Sequence, residues 1–412
     1  MGVPDALASL RRRLPGPAVR LLDGCVRFVA RVLPERLRVA LGPVHLRFEK
    51  SDIPPPPAVP PTPVRLYIAP RNFAGQGYAW ARAVEGLSGV GAVSMAFQRP
   101  GGFAFDVDDA VPEAVYAGSR RWQSSRRELL PQFSHVIIEA GRPLLGRLMG
   151  ADPCAEARWL RARGVAVAML CHGSDIRLPS RHRELEAFSP FEPTWELTDA
   201  LETQAARLAA GIAELKAPVF VSTPDLLLDV PDATWVPVVV DVERWAAAGR
   251  GVPFEREVPV VVHAPSSAHI KGTALIEPVL ESLAVRGLVD YRRIDGVPAA
   301  RMPEVYGDAD VVLDQFRIGN YGVAACEAMA AGRLVVSHVS EFVRGHARAA
   351  AGADLPVLEA TPDTLEQVLL DVLADRPRAR AFAAQGPAFV STLHSGPRSA
   401  DALAPFLGAR TA

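Results

Sequence analysis

One glutamate, Glu327, stands in the middle of GNYGVAACEAMAAG (319–332), a stretch otherwise small or apolar. A carboxylate cannot stay charged among buried alanines without a partner. It must meet a cation, accept hydrogen bonds from a ligand, or reach water in a cleft. A glutamate on a solvated helix edge fits the composition equally well. The residues before it, Gly319, Asn320, Tyr321, Gly322 and Val323, read as a loop opening into a short Ala- and Met-rich helix, with Gly332 as its stop before RLVVSHV (333–339). Free amides at such a helix start, flanked by glycines that let a ligand come close, suit an anion.

Three further stretches place polar groups after apolar runs. In CHGSDIR (171–177), which follows VAVAML, His172 and Asp175 leave the run together and Gly173 permits a sharp turn. That pair suits acid–base work, and a helix-capping Asp beside an incidental His reads equally well. In HAPSSAHIKGT (263–273), Lys271 precedes Gly272 and Ser266 lies nearby, a cation and a hydroxyl for a phosphate, or an ordinary solvated loop. In NFAGQGYA (72–79), Gly75, Gln76 and Gly77 bring backbone close to a ligand at a helix start, or form a plain tight turn.

The elements that must position these groups are short Val- and Ile-rich runs. VRLYIA (64–69), SHVIIEA (134–140), VAVAMLCHGSD (165–175) and APVFVSTPDL (217–226) are separated by stretches long enough for helical crossovers. Strand and crossover in repetition predict a parallel, doubly wound sheet. The pattern restarts with VPVVVHAPSSAHIKG (258–272), VDYRRIDG (289–296), ADVVLDQF (309–316) and RLVVSHV, which predicts a second α/β domain. The division expected is a basic amphipathic segment (1–52), a proline-rich linker (53–63), two domains (64–241 and 242–390) and a C-terminal helix with tail (391–412). Ligands of open parallel sheets sit beyond the carboxyl ends of the strands, which is where all four polar stretches fall.

A chain of 412 residues is too long for one core, and its 49% hydrophobic content with few aromatics suits sheets covered on both faces. A net charge of −1 gives no argument for nucleic acid. The four cysteines are widely spaced with no CxxC pair, so neither a disulfide framework nor a zinc site is expected, and a reducing cytoplasm is. No metal ligand set is legible. The arginines of residues 1–50, interleaved with Leu, Val and Phe, would suit an anionic membrane surface, or a helix packed on the protein's own body.

Taken in order, these pieces resemble the GT-B glycosyltransferases, in particular the large retaining bacterial family that uses sugar nucleotides. GNYGVAACEAMAAGRLVV is similar to its donor motif, in which two glutamates are separated by seven residues and the second leads an Ala-Met-Ala run. Glu327 matches the second glutamate, and Gly319 stands where the first would be. Lys271-Gly272 matches the family's Lys-Gly pair, with Ser266 in place of an arginine. AGQGYAWARAV resembles its first glycine loop and CHGSDIR its histidine loop. The resemblance implies two Rossmann-like domains facing a cleft, and transfer of a sugar from a nucleoside-diphosphate sugar to a hydroxyl acceptor, with retention. It implies His172 and Asp175 at the reacting centre, and Gly75, Gln76 and Gly77 on the acceptor side. On the donor it implies Ser266, Lys271, Gly272, Gly319 to Val323, and Glu327. No cofactor and no metal are implied. A GT-B-shaped protein that binds a nucleotide or glycan without turnover is the alternative, and a sugar-nucleotide epimerase a third reading.

Overall fold

Strands of Val, Ile and Leu, apolar on both sides, have to be covered on both faces, and that requirement organises the chain. The computed structural model describes residues 39, 43, 46–99, 101 and 105–410. Most of the basic N-terminal segment, and any membrane contact through it, lies outside the described residues. Among the described residues, no helix is long and apolar enough to cross a membrane.

The first sheet holds seven strands, β1 (Val64–Ala69), β2 (Val90–Gln98), β3 (Asp109–Pro112), β4 (His135–Glu139), β5 (Ala166–Cys171), β6 (Val219–Val221) and β7 (Thr234–Trp235). Their order is β3-β2-β1-β4-β5-β6-β7, and the pairs are parallel. Alternate residues feed two cores. Tyr67, Val136 and Ile138 face one, while Leu66, Ile68 and Ile137 face the other. The second sheet holds β8 (Val260–His263), β9 (Asp290–Arg293), β10 (Val311–Leu313), β11 (Leu334–Ser337) and β12 (Val357–Glu359), in the order β12-β11-β10-β8-β9. It too is parallel and covered on both faces.

The fold class expected from the sequence is therefore the one observed. β2, β3, β7 and β12 are additions to it. Gly91, Ser94 and the alanines of β2 thin out the β-branched pattern, and β3 and β12 are short edge strands.

In each sheet the strand order reverses once, between β1 and β4 in the first and between β8 and β10 in the second. The crossovers on either side of such a point leave in opposite directions, and a crevice opens at the carboxyl ends of the strands. The two crevices face one another across a shared cleft. The proline-rich segment runs along the first domain, where Pro55 O accepts from Arg126 Nη2 (3.0 Å) and Ile53 and Val59 pack on the core. The chain also returns at its end. The helix Gly386–Leu393 packs in the second domain through Phe389, Val390 and Leu393, and the helix Pro397–Leu407 covers the first domain through Ala400, Leu403 and Leu407.

Candidate functional site

The cleft encloses about 730 Å³ and is lined from both sheets, by Gln76, Arg142, His172 and Asp175 on one side and by Ser266, Lys271, Asn320 and Glu327 on the other. On the first-domain side, β4 ends at Glu139 and β5 ends just before His172, neighbouring strands whose register carries both groups to one edge. Glu139 is fully buried, and its Oε1 lies 3.0 Å from His172 Nε2. Its Oε2 has no hydrogen-bond partner among the described residues. Burial pushes the Glu139 carboxyl above its ordinary range, against the pull of His172. The imidazole is boxed by Phe73 and Trp80, with ring centres at 5.1 and 5.6 Å. Gly77 is needed beside this pair, because a Cβ there would sit 3.1 Å from Glu139 Oε2 and 3.0 Å from Arg71 O. Asp175 has a different task. Its carboxylate accepts from the amides of His172 (3.0 Å) and Gly173 (2.7 Å), and so fixes the turn that aims the histidine.

On the second-domain side, Lys271 closes the short helix Ala268–Lys271, with Gly272 in the left-handed region behind it. Its ammonium pairs with Asp314, which follows β10 and whose Oδ2 also accepts from the amide of Gly322 (3.2 Å). The helix Val323–Ala330 begins at that point. Its N-terminal amides open on the cleft beside Val323 and Ala324. Glu327, one turn further, lines the cleft, and its carboxylate makes no hydrogen bond to any described residue, while its carbonyl accepts from the Ala331 amide (3.0 Å). Burial, with Asp314 adding to it, pushes its carboxyl up to about 8 against the opposing pull of Arg244 and Lys271. Among the described residues no group of three or more His, Cys, Asp or Glu side chains converges as a metal site.

Two parallel-sheet domains meeting at their carboxyl edges, with the last helix crossing back to the first, can be compared directly with solved structures. Sucrose-phosphate synthase from Thermosynechococcus elongatus superposes with a TM-score of 0.53 at 11% identity, over 81% of this chain and 96% of its own. HepE from Anabaena, solved with UDP and glucose, gives 0.53 at 11% identity over 83% and 98%. WaaG, a glycosyltransferase involved in lipopolysaccharide biosynthesis, gives 0.50 at 12% identity over 83% and 99%. The fold is that of the GT-B glycosyltransferases. No protein-family model matches the sequence, and no curated protein matches it.

Within this GT-B cleft the residues singled out from sequence fall into two groups. Gln76, His172, Asp175, Ser266, Lys271, Asn320, Gly322, Val323 and Glu327 line it. Others stand behind it. Tyr321 is buried in the second core with its hydroxyl 3.2 Å from His394 Nε2. Gly75 starts the helix Gln76–Val84 with φ +77°, and Gly272 backs onto Arg317. Gln76 also braces the segment that follows β7, giving Nε2 to Val239 O (2.9 Å) and taking Val239 N on Oε1 (2.7 Å).

Gly319, where the resembled motif has a glutamate, is packed against the first domain. Its φ is +72°, and a Cβ there would lie 2.1 Å from Glu186 Oε1. Glu186 belongs to the first domain and reaches across to His338 Nε2 (2.8 Å). Other bonds bolt the 315–320 loop itself to the first domain. Asn320 Nδ2 donates to Asp225 Oδ1 (2.8 Å), Arg317 Nε to Phe188 O (2.7 Å), and His182 Nε2 to Ile318 O (3.3 Å). The two glutamates Glu139 and Glu186 and the aspartate Asp314 are the site residues that sequence reasoning passes over. The signal for two of them was present: Glu139 and Asp314 each end an apolar strand, the position that singles out His172.

Proposed function

We propose that this protein transfers a sugar from a nucleoside-diphosphate sugar, with UDP as the first nucleotide to test, to a hydroxyl acceptor. The observation that carries the reading is Glu327: a cleft-lining carboxylate with no hydrogen-bond partner among the described residues, one turn into a helix whose free amides face the same space. The second glutamate of a nucleotide-sugar site needs that position. In this reading Glu327 accepts the ribose hydroxyls, while the helix amides, with Lys271 held by Asp314, stabilise the leaving diphosphate without a metal ion. UDP bound to HepE, on the same fold, supports the choice of nucleotide.

On the acceptor side His172, oriented by Glu139, lies where the attacking hydroxyl would be held. With retention, the hydroxyl oxygen bonds to the anomeric carbon from the face that the phosphate leaves. The carbon–oxygen bond to phosphate breaks, and the hydroxyl proton passes to a phosphate oxygen. Such a step needs no protein nucleophile, consistent with glycine at position 319.

The second reading, a nucleotide-binding protein without turnover, is favoured by one observation, that Glu186 of the first domain fills the space beside Gly319. Calorimetric titration with UDP, paired with hydrolysis of UDP-glucose in the presence of EDTA, separates the two. Binding with hydrolysis is expected. UDP binding with neither hydrolysis nor transfer across a panel of sugar nucleotides would leave the binding protein as the better account.

A further inference from the structure

Arg71 follows β1 and Arg142 follows β4, the two strands that flank the reversal point of the first sheet. The register pairs Ala69 with Ile138, so the chain segments carrying the two arginines leave the sheet side by side. Arg142 is tied to that edge by its amide, which donates to Glu139 O (3.0 Å). The Arg71 guanidinium lies over two rings, 4.3 Å from the centre of Phe97 and 5.0 Å from that of Phe73. Phe73 and Arg142 both line the cleft.

Neither guanidinium has an ion pair among the described residues, and Arg71 Nε is buried without an acceptor. Nearby carboxylates are committed elsewhere. Glu113 is paired with Arg99 (2.7 Å), Glu139 with His172, and Glu156 accepts from the Leu144 and Leu145 amides. Burial, and the like charges of Arg142 and Arg99, push the Arg71 guanidinium down from its ordinary range. Two cations of one sign, one of them half-buried and stacked in place, cost stability unless an anion joins them. A planar fork held by stacking is the geometry that receives a phosphate through paired N–H donors.

We infer that Arg71 and Arg142 form an anion subsite for a phosphomonoester carried by the acceptor. The acceptor role rests on the transferase reading above; the anion site itself does not. Neighbouring strands stand about 4.8 Å apart, and β1 is separated from β5 by β4 alone. The subsite and His172 are therefore separated by roughly 5–10 Å, the span of a hexose bearing its phosphate at one end and its reacting hydroxyl at the other.

The test is calorimetric titration of the full chain with glucose 6-phosphate and with glucose, and of vesicles of phosphatidylcholine with and without phosphatidate. Glucose 6-phosphate is expected to bind at least about tenfold more tightly than glucose, and R142Q and R71Q each to remove about tenfold of that affinity. R142Q alters an exposed side chain and keeps the test open if R71Q misfolds. Binding to phosphatidate vesicles that R142Q abolishes would assign the phosphate to a lipid headgroup. Equal affinity for glucose 6-phosphate and glucose with no phosphatidate preference, or an anion preference that both variants retain, overturns the subsite. Titrating wild type with UDP alongside keeps the two ideas apart: UDP bound without any anion preference removes the subsite alone, and an arginine-dependent anion preference without UDP binding removes the nucleotide reading alone.

Discussion

The two faces of the cleft are built alike and charged in opposite ways. On the first-domain face the carboxylates are engaged, Glu139 by His172 and Asp175 by backbone amides, while Arg71 and Arg142 have no ion pair among the described residues. On the second-domain face the cation is engaged, Lys271 by Asp314, while the carboxylate of Glu327 is open. Groups that find a protein partner become scaffold, and those left over define what a ligand must bring. One face asks for a hydrogen-bond donor and the other for an anion.

The contrast is broken most severely by giving the second domain another carboxylate. Gly319→Glu forces a side chain into the space of Glu186 and into a backbone conformation with φ +72°. A loss of about 3–5 kcal/mol is expected in denaturant unfolding, much of it recovered by adding Glu186→Ala. A single variant as stable as wild type would show that the loop is not bolted to the first domain as described.

Next in size is Glu139→Gln, which keeps the shape and removes the charge that selects the histidine tautomer. Transfer should fall about 100-fold in kcat with little change in KM, and the His172 imidazole signal should shift in NMR. An unchanged kcat and signal would demote the pair to packing.

The smallest effect is expected from Glu327→Gln, a loss of about tenfold in UDP affinity at pH 8. Its pH dependence is the sharper reading. The folded state holds the Glu327 proton up to about 8, well above an ordinary carboxyl, so wild-type stability falls as pH rises through that window. The variant has no such proton, and its melting temperature should gain on wild type between pH 5 and 9. Parallel melting curves across that range would mean that Glu327 titrates normally and already has a partner.

Much of the fold can be read from the chain because a strand buried on both faces leaves a continuous apolar run, as in VVVH of β8 or VIIE of β4. The solitude of Glu327 among alanines marks the cleft-lining helix Val323–Ala330 for the same reason. Pairings are harder to read. Glu139 and His172, or Lys271 and Asp314, meet only because of strand order, which local pattern does not carry. Glu186 is hidden more deeply still, in a polar stretch of the other domain, and nothing local points to its place beside Gly319. Tyr321 misleads in the opposite sense. It sits inside the motif, yet its ring turns into the core toward His394.

The helix Pro397–Leu407 has a consequence for how the chain is made. Leu66, Ile68 and Trp80, near the beginning of the first domain, share a core with Ala400, Leu403 and Leu407 at the far end. A nascent chain emerging from the ribosome would have the first sheet complete long before the helix that seals one of its faces. That face must stay uncovered while the whole second domain is synthesised. The first domain is sealed only after the second has been made, and loss of the helix Pro397–Leu407 would expose the earliest-made part of the molecule.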